Sequence, residues 1–418
     1  MSLFSQRLSR LGTEGAFRVV PLIHQAERAT GRRVIRCNIG EPDFPTPQHI
    51  VDELKRQLDA GNTKYVDPQG ILSLRTAVAR HFEKRGVAAT PERVVIFAGT
   101  KPSIGLTEHA YLDEGDEVIY PSPGFPIYES FAPYLGARPV PLHLREEKGF
   151  AFTAADLAAL ITPRTKLVML NFPSNPTGGV APRALLEEIA QVLRTRLPPD
   201  ARVFSDEIYE DIVFDGAEHV SIASLPGMAG HTIVASGVSK SYAWTGGRVG
   251  WAVFPTEEEA QAFRNLNINY FSCVSGANQE AARFALESPL TPPAVRKMVS
   301  AFQSRRDVVV AALNAMDGVR CTTPRGSFYC WPNVSGACDR LGIRPEDGPP
   351  SRQLQLFLLF RHGVATLDRN SFGVLGSEGQ HFLRISVATS MGDLEEGMRR
   401  LAVAANDSDG FRAWREQP

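Results

Sequence analysis

Residues 236–254 read SGVSKSYAWTGGRVGWAVF. A single lysine, Lys240, follows the apolar run TIVASG (232–237), and Arg248 stands eight residues further on within a group of glycines. On its own, a lysine leaving a strand reads as a solvated surface charge. Its meaning depends on which other side chains the fold brings to the same edge, and the flanking sequence predicts that fold.

Working outward, short apolar runs alternate with helix-period segments, the rhythm of a parallel sheet built from βα units. The predicted strands are RVVIF (93–97), DEVIYP (116–121), TKLVMLN (165–171), ARVFSD (201–206), TIVASG (232–237) and RVGWAVF (248–254). Their near-continuous apolarity is that of strands covered on both faces. Between them lie helical patterns such as ALLEEIAQVLRTR (184–196), charged on one side and aliphatic on the other. From about residue 290 the texture changes: a long amphipathic stretch (294–316), the strand GSFYCW (326–331), a helix (353–363), the strand FLRISVA (382–388) and a last helix (393–405). The expected fold is α/β, a three-layer, mostly parallel central sheet over residues 46–289. A smaller α+β domain is expected from residues 1–45 and 290–418. The polar tail from Asn406 is expected to fray.

At 418 residues the chain is long enough for two domains. Apolar residues make up 43% and charged residues 22%, and the net charge of -1 gives no electrostatic basis for a nucleic-acid or anionic-membrane partner. No stretch approaches the roughly 20 apolar residues that span a bilayer. The start MSLFSQRLSRLG lacks the apolar centre of a secretory signal, so a cytoplasmic protein is expected. Cys37, Cys273, Cys321, Cys330 and Cys338 are odd in number and lack CxxC spacing, which argues against a disulfide framework and a zinc site.

In an open α/β sheet, ligands sit outside the carboxyl ends of the strands. Taking each predicted strand to its end yields AGTKPS, SPGFPIY, FPSNPTG, Asp206 followed by EIY, and VSK. One edge thus collects a small-residue turn, an aromatic, an asparagine, a carboxylate, a tyrosine and a lysine. Gly99 and Thr100, where a strand turns into a helix, offer N–H groups and a hydroxyl to an anion. Arg248 adds a two-pronged cation suited to phosphate. AGTKPS lacks the spacing of a nucleotide P-loop and no GxGxxG follows a strand, so a small phosphorylated cofactor fits better than ATP or NAD. A carboxylate such as Asp206 is costly to bury without a cationic partner. Pyridoxal phosphate supplies one in its protonated ring nitrogen, and its aldehyde takes a lysine such as Lys240. Lysine reacts as the neutral amine, which desolvation and nearby positive charge favour.

SGVSKSYAWTGGRVG resembles the lysine signature of class I aminotransferases, the fold-type I group of pyridoxal-phosphate enzymes. Further motifs follow in family order: NIGEPDFPTP (38–47), KYVDPQGILSLR (64–75), AGTK (98–101), SPGFPIY (122–128), NFPSNPTG (171–178), SDEIY (205–209), PRGSFY (324–329) and FLRISVATS (382–390). The resemblance covers almost the entire chain. It implies that Lys240 carries the cofactor as a Schiff base and then moves the substrate proton. Asp206 would pair with the pyridine nitrogen, Tyr209 and Asn175 would bond the ring O3′, and Phe125 would stack on the ring. Gly99, Thr100, Ser239 and Arg248 would hold the phosphate, with Ser236 an alternative to Ser239. Arg384 would clamp the substrate α-carboxylate beneath the Gly40 N–H. Lys101 would meet the distal carboxylate, as a lysine at this point does in some aspartate-accepting relatives, with a solvated first-turn helix lysine as the other reading. Tyr65 would reach the phosphate of a neighbouring subunit, which implies a homodimer with shared active sites.

The reaction so implied is amino transfer between an amino acid and a 2-oxo acid by ping-pong exchange. An elimination enzyme on the same fold, such as a C–S β-lyase, is the alternative, and a transcription-regulator half is a third reading that lacks a helix-turn-helix extension or basic patch. Three departures from the family pattern stand out: Trp244 where an aliphatic residue is common, Gly247 where a large one often sits, and Leu367-Asp368-Arg369 in place of a small turn. The last is expected at the rim of the site, and Arg18 in GAFRVVP is expected to fold over it. His109 and His143 read as structural.

Overall fold

The computed structural model describes residues 3–12, 14–373 and 379–416. The last two residues of the polar tail, and the first two of the chain, lie outside the described residues. Seven strands form the central sheet: β1 (Val94–Phe97), β2 (Glu117–Ser122), β3 (Arg138–His143), β4 (Thr165–Asn171), β5 (Arg202–Asp206), β6 (Thr232–Gly237) and β7 (Gly250–Val253). Their spatial order is β1-β7-β6-β5-β4-β2-β3. Neighbours pair in parallel except at β7, which runs antiparallel to both β1 and β6. The stretch 236–254 is therefore the connection by which the chain leaves β6, passes Lys240 at the carboxyl edge, and returns directly as β7.

Residues of one strand alternate between two cores, as the two-residue pleat requires. In β4, Val168 and Leu170 pack with Leu186, Ile189, Ala190 and Leu193 of α3 (Arg183–Arg196), which recur at helical spacing. Leu167 and Met169 face the opposite layer, with Ile104 and Leu106 of α2 (Lys101–Tyr111) and Phe263 of a later helix. Helices on both faces make the three layers. β3 (RPVPLH) is a strand the sequence reading omits. It lies at the sheet edge, where its two prolines leave no central ladder bond unmade.

A separate core joins α4 (Thr291–Asn314), α5 (Pro350–His362) and α6 (Met391–Ala404) through Phe302, Val309, Phe357, Leu394 and Leu401. They pack around an antiparallel sheet in which β8 (Tyr329–Cys330) and β9 (Leu367–Asp368) flank β10 (Leu383–Ser386). Helix α1 (Gly15–Thr30) shares a core with both parts: Val19, Ile23 and Ala26 pack with Leu142 and Val168 of the central sheet and with Leu359, Leu367 and Phe372. The tail expected to fray instead forms α7 (Ser408–Arg415). Its buried Phe411 and its Trp414 pack on Phe357, with ring centroids 5.2 Å and 5.7 Å away, and that apolar contact offsets the polar composition. Among the described residues, no helix is long and apolar enough to cross a membrane. Of the free cysteines only Cys273 is partly accessible, and the other four are buried.

Candidate active site

The carboxyl ends of β1, β4, β5 and β6 open onto one cavity of about 580 Å³. Thr100, Lys101, Asn175, Asp206, Tyr209, Ser239 and Lys240 line it, and Gly40, Phe125, Arg248 and Arg384 complete the wall. Register explains the convergence. Asn171 pairs with Asp206 and Asp206 with Ala235, so the ends of three adjacent strands lie level. Arg384 arrives from the other side, on β10 opposite Leu367.

Asp206 is buried. Its Oδ2 accepts the Tyr128 hydroxyl at 2.8 Å and its Oδ1 accepts the Ile208 N–H at 3.2 Å. Burial pushes the carboxyl up to about 6, against those two hydrogen bonds, which favour the anion. The site thus holds a carboxylate that a cationic ligand would stabilise. Lys240 Nζ donates to the Gly40 carbonyl at 2.5 Å. Burial, reinforced by the nearby Arg384 guanidinium, brings the amine down to about 8. About a tenth of the amine is therefore neutral at pH 7, far more than for an ordinary lysine, and the neutral form is the nucleophile.

Arg384 donates through Nη1 to Asn175 Oδ1 at 2.9 Å and through Nη2 to the Asn38 carbonyl at 2.8 Å. Its Nε is buried without a hydrogen-bond partner, and its guanidinium lies over the rings of Tyr329 and Phe372 at 4.3 Å and 4.9 Å. An unsatisfied donor on a buried cation is a costly arrangement that an anionic ligand relieves. The Asn175 amide oxygen is taken by Arg384, which leaves its Nδ2 group as the donor toward a ligand. Tyr209 and Tyr329 share a hydrogen bond of 2.9 Å between their hydroxyls.

The wall around Thr100 and Arg248 is built by glycines. A Cβ on Gly99 (φ +87°) would meet Arg248 Nη2 at 2.0 Å. One on Gly250 would meet the Thr100 nitrogen at 2.4 Å, and one on Gly237 would meet Thr100 Oγ1 at 2.7 Å. Without side chains there, the first turn of α2 lies directly on the ends of β6 and β7. Arg248, itself at φ +50°, spans the turn by donating to the Thr245 and Ala98 carbonyls. The Thr100 hydroxyl donates to the Ser236 carbonyl at 2.8 Å, so its hydrogen is already committed. Ser236 Oγ donates to Glu210 Oε1 at 2.8 Å, beneath the sheet edge, while Ser239 lines the cavity. Of the two serines considered, only Ser239 lines the cavity.

Gly99 supports the wall rather than lining it, and Tyr65 lies outside the cavity and is 88% exposed. Two of the three departures prove to be one feature: a Cβ on Gly247 would meet the Trp244 ring at 2.3 Å, so the indole fills the space that a larger residue at 247 would occupy. The third falls away from the cavity. Asp368 and Arg369 are buried, Asp368 accepts the Ser371 hydroxyl, and Arg369 donates to the Phe372 and Gly373 carbonyls. Arg18 is exposed and borders a neighbouring cavity with Asp368, whereas Glu14 and Phe17 from the same segment line the Lys240 cavity.

Glu14, Tyr128 and Tyr329 also line the cavity, and the sequence reading does not name them as candidates. Tyr128 and Tyr329 stand inside quoted motifs, three residues after Phe125 and at the end of PRGSFY, and that position was the available signal. Among the described residues, Glu207, Glu210 and His219 form one group close enough to share a metal ion. Their carboxylates are engaged instead: Ser205, Ser221 and His219 bond Glu207, while Ser236, His81 and Arg85 contact Glu210.

The chain matches the family described as Aminotransferase class I and II over residues 32–401. It is 38% identical over 376 residues to the arginine–pyruvate transaminase of Pseudomonas aeruginosa, covering 90% of this chain and 91% of that one. It is 33% identical over 405 residues to the aspartate aminotransferase of Rhizobium meliloti, covering 96% of each. The crystal structure of the Rhizobium meliloti enzyme superposes with a TM-score of 0.88 over 97% of this chain and 99% of that one. The fold is thus that of the aspartate-aminotransferase-like, fold-type I enzymes, and the chain belongs to the class I and II aminotransferase family, a family of transaminases.

Proposed function

We propose that the protein is a pyridoxal-phosphate-dependent aminotransferase that moves an amino group from an L-amino acid to a 2-oxo acid by ping-pong exchange. The observation that carries this reading is the shared cavity of Lys240, Asp206 and Arg384, in which burial lowers the amine to about 8 and raises the carboxyl to about 6. The residues present fit the cofactor: the acid wants a cation, the amine is partly neutral, and Arg384 Nε has no partner. When bound, pyridoxal phosphate supplies an aldehyde and a protonated ring that draws electrons from the substrate Cα.

Each residue then has a task. Lys240 Nζ would hold the cofactor through its aldehyde and, as a free amine, would take the substrate Cα proton. Asp206 keeps the ring nitrogen protonated, and Tyr209 and the Asn175 Nδ2 donate to the ring oxygen. Phe125 covers the ring face. The Thr100 N–H, with Ser239 and Arg248, would hold the phosphate at the start of α2, while Gly99, whose N–H donates to the Phe97 carbonyl at 2.7 Å, only shapes the turn. Arg384 binds the substrate α-carboxylate below Gly40. Residues 1–45 and 290–418 act as a smaller domain whose closure brings Arg384 onto the substrate and excludes water. The exposure of Tyr65 supports a homodimer in which this phenol reaches the partner's phosphate, and the lack of a membrane-spanning helix among the described residues is compatible with a cytoplasmic enzyme.

Borohydride reduction of the purified holoprotein, followed by peptide mass spectrometry, tests the assignment. The reduced cofactor is expected on the peptide carrying Lys240, and Lys240→Ala is expected to lose both adduct and transfer. Retention of either would contradict the reading. Incubation with an amino donor and 2-oxoglutarate separates transfer from elimination: glutamate marks transfer, whereas pyruvate and ammonia without acceptor mark the lyase.

A further inference from the structure

The relatives carry donor names of different charge, so the side-chain end of the cavity has to be read from its own residues. In the cavity that Arg384 also lines, the loop before α1 places Glu14 against Lys101 in an ion pair. The two partners are not equivalent. The Glu14 side chain is 13% exposed and its Oε1 is buried; the Lys101 ammonium is its ion-pair partner, and Lys240 and Arg384 also lie within its electrostatic reach. The Lys101 side chain is 43% exposed and comes from the first turn of α2 at the rim. Its Nζ sits 5.4 Å from the Phe17 ring centroid and 5.6 Å from that of Phe125. Two aromatic faces and one buried carboxylate thus converge on a point already occupied by a cation.

We propose that this point is the subsite for the substrate side chain, and that Glu14 selects amino donors ending in a cationic group, a guanidinium or ammonium, with Lys101 as the placeholder that the donor displaces. The proposal rests on the aminotransferase reading, because Arg384 must hold the α-carboxylate for the side chain to point here. The asymmetry of burial decides the sign. An incoming cation takes over a carboxylate fixed in the wall, and the displaced lysine returns to water at little cost. An incoming carboxylate would instead compete with Glu14 for Lys101, leaving a buried anion beside a second anion. A planar guanidinium gains further from the rings of Phe17 and Phe125.

Two measurements on the holoprotein test this. Calorimetric titration compares 5-guanidinopentanoate, which has the carboxylate and guanidinium of a cationic donor but no α-amine, with glutarate, whose far end is anionic. The guanidino ligand is expected to bind at least tenfold more tightly, Glu14→Gln is expected to erase that preference, and Lys101→Gln is expected to strengthen guanidino binding. Tighter binding of glutarate, an unchanged preference in Glu14→Gln, or weaker guanidino binding in Lys101→Gln would each overturn the proposal. In parallel, the ratio of kcat/KM for L-arginine to that for L-alanine is expected to fall at least tenfold in Glu14→Gln. If alanine or aspartate is transaminated while these preferences are absent, only the subsite assignment fails. If no donor reacts and borohydride traps nothing on Lys240, the aminotransferase reading itself fails.

Discussion

The Tyr128 hydroxyl donates a 2.8 Å hydrogen bond to Asp206 Oδ2, and both groups are buried. The bond holds the carboxylate in place and favours its ionised form against burial. A hydrogen bond to a charged group contributes about 1.5–3 kcal/mol. Tyr128→Phe is therefore expected to weaken retention of pyridoxal phosphate by roughly tenfold or more at pH 7, measured by equilibrium dialysis. Because the bond favours the ionised form, its loss raises the Asp206 carboxyl further above about 6, so the difference should widen as pH falls and vanish well above that raised value. Equal affinity of the two proteins at pH 7 would show that Tyr128 acts only in packing.

That relationship also marks the limit of what the sequence discloses. Lys240, Asp206, Asn175 and Arg384 are legible because strand-end position and chemistry coincide, and parallel register then brings them level. The partner of Asp206 is not legible, since Tyr128 looks like any core tyrosine until the helix after β2 sets its direction. Glu14 is less legible still. Its placement depends on α1 docking through Val19, Ile23 and Ala26 onto residues hundreds of positions away, which no local pattern encodes. β3 escaped because proline argues against strands in general, and only its place at the edge of the sheet removes the objection.

Lys240 provides a pH test. Its amine lies at about 8, below the usual lysine value, and only the neutral form attacks an aldehyde. The sign follows directly: the reactive fraction rises about tenfold per pH unit below 8 and levels off above it. Cofactor uptake by the cofactor-free protein, followed by absorbance between pH 6 and pH 9.5, is expected to trace that curve. A rate that is flat across this range would mean that the amine is not the group being titrated.

Arg384 should separate substrate capture from cofactor binding. Removing one partner of a buried, hydrogen-bonded charge pair costs about 2–5 kcal/mol, so Arg384→Ala is expected to raise KM for donor and acceptor by well over tenfold. The cofactor should stay bound, because among its proposed hydrogen-bond contacts only Asn175 is bonded to Arg384. Arg384→Lys should not restore capture, since an ammonium cannot reproduce the planar fork. Steady-state kinetics with absorbance of the bound cofactor read both quantities, and loss of cofactor in either variant would assign Arg384 a different role.

Glu210 concerns stability rather than chemistry. Its Oε1 accepts from Ser236 Oγ at 2.8 Å and lies 3.1 Å from His81 Nε2, and its Oε2 forms an ion pair with Arg85 Nε at 3.2 Å. Ser236 in turn offers its carbonyl to Thr100, so this buried cluster fastens the strand end on which α2 begins. Burial alone would raise the Glu210 carboxyl, but His81 and Arg85 outweigh it and bring the group down to about 2. The folded protein then binds fewer protons than the unfolded chain between that value and the ordinary carboxylate range. The resulting stabilisation, about 3 kcal/mol by linkage, is complete above about pH 4.5 and is lost as pH falls toward 2. Glu210→Gln removes one of the two carboxylates on Arg85, which keeps Asp211 at 2.7 Å, and is expected to lower unfolding free energy by about 3 kcal/mol at pH 7, the linkage value. Urea melts of both proteins at pH 7 and at pH 4 check this, and the gap should narrow at the lower pH because only the parent protein loses charge. A gap that stays constant would place the stabilising role in the hydrogen bonds to Ser236 and His81 and not in the ionised carboxylate.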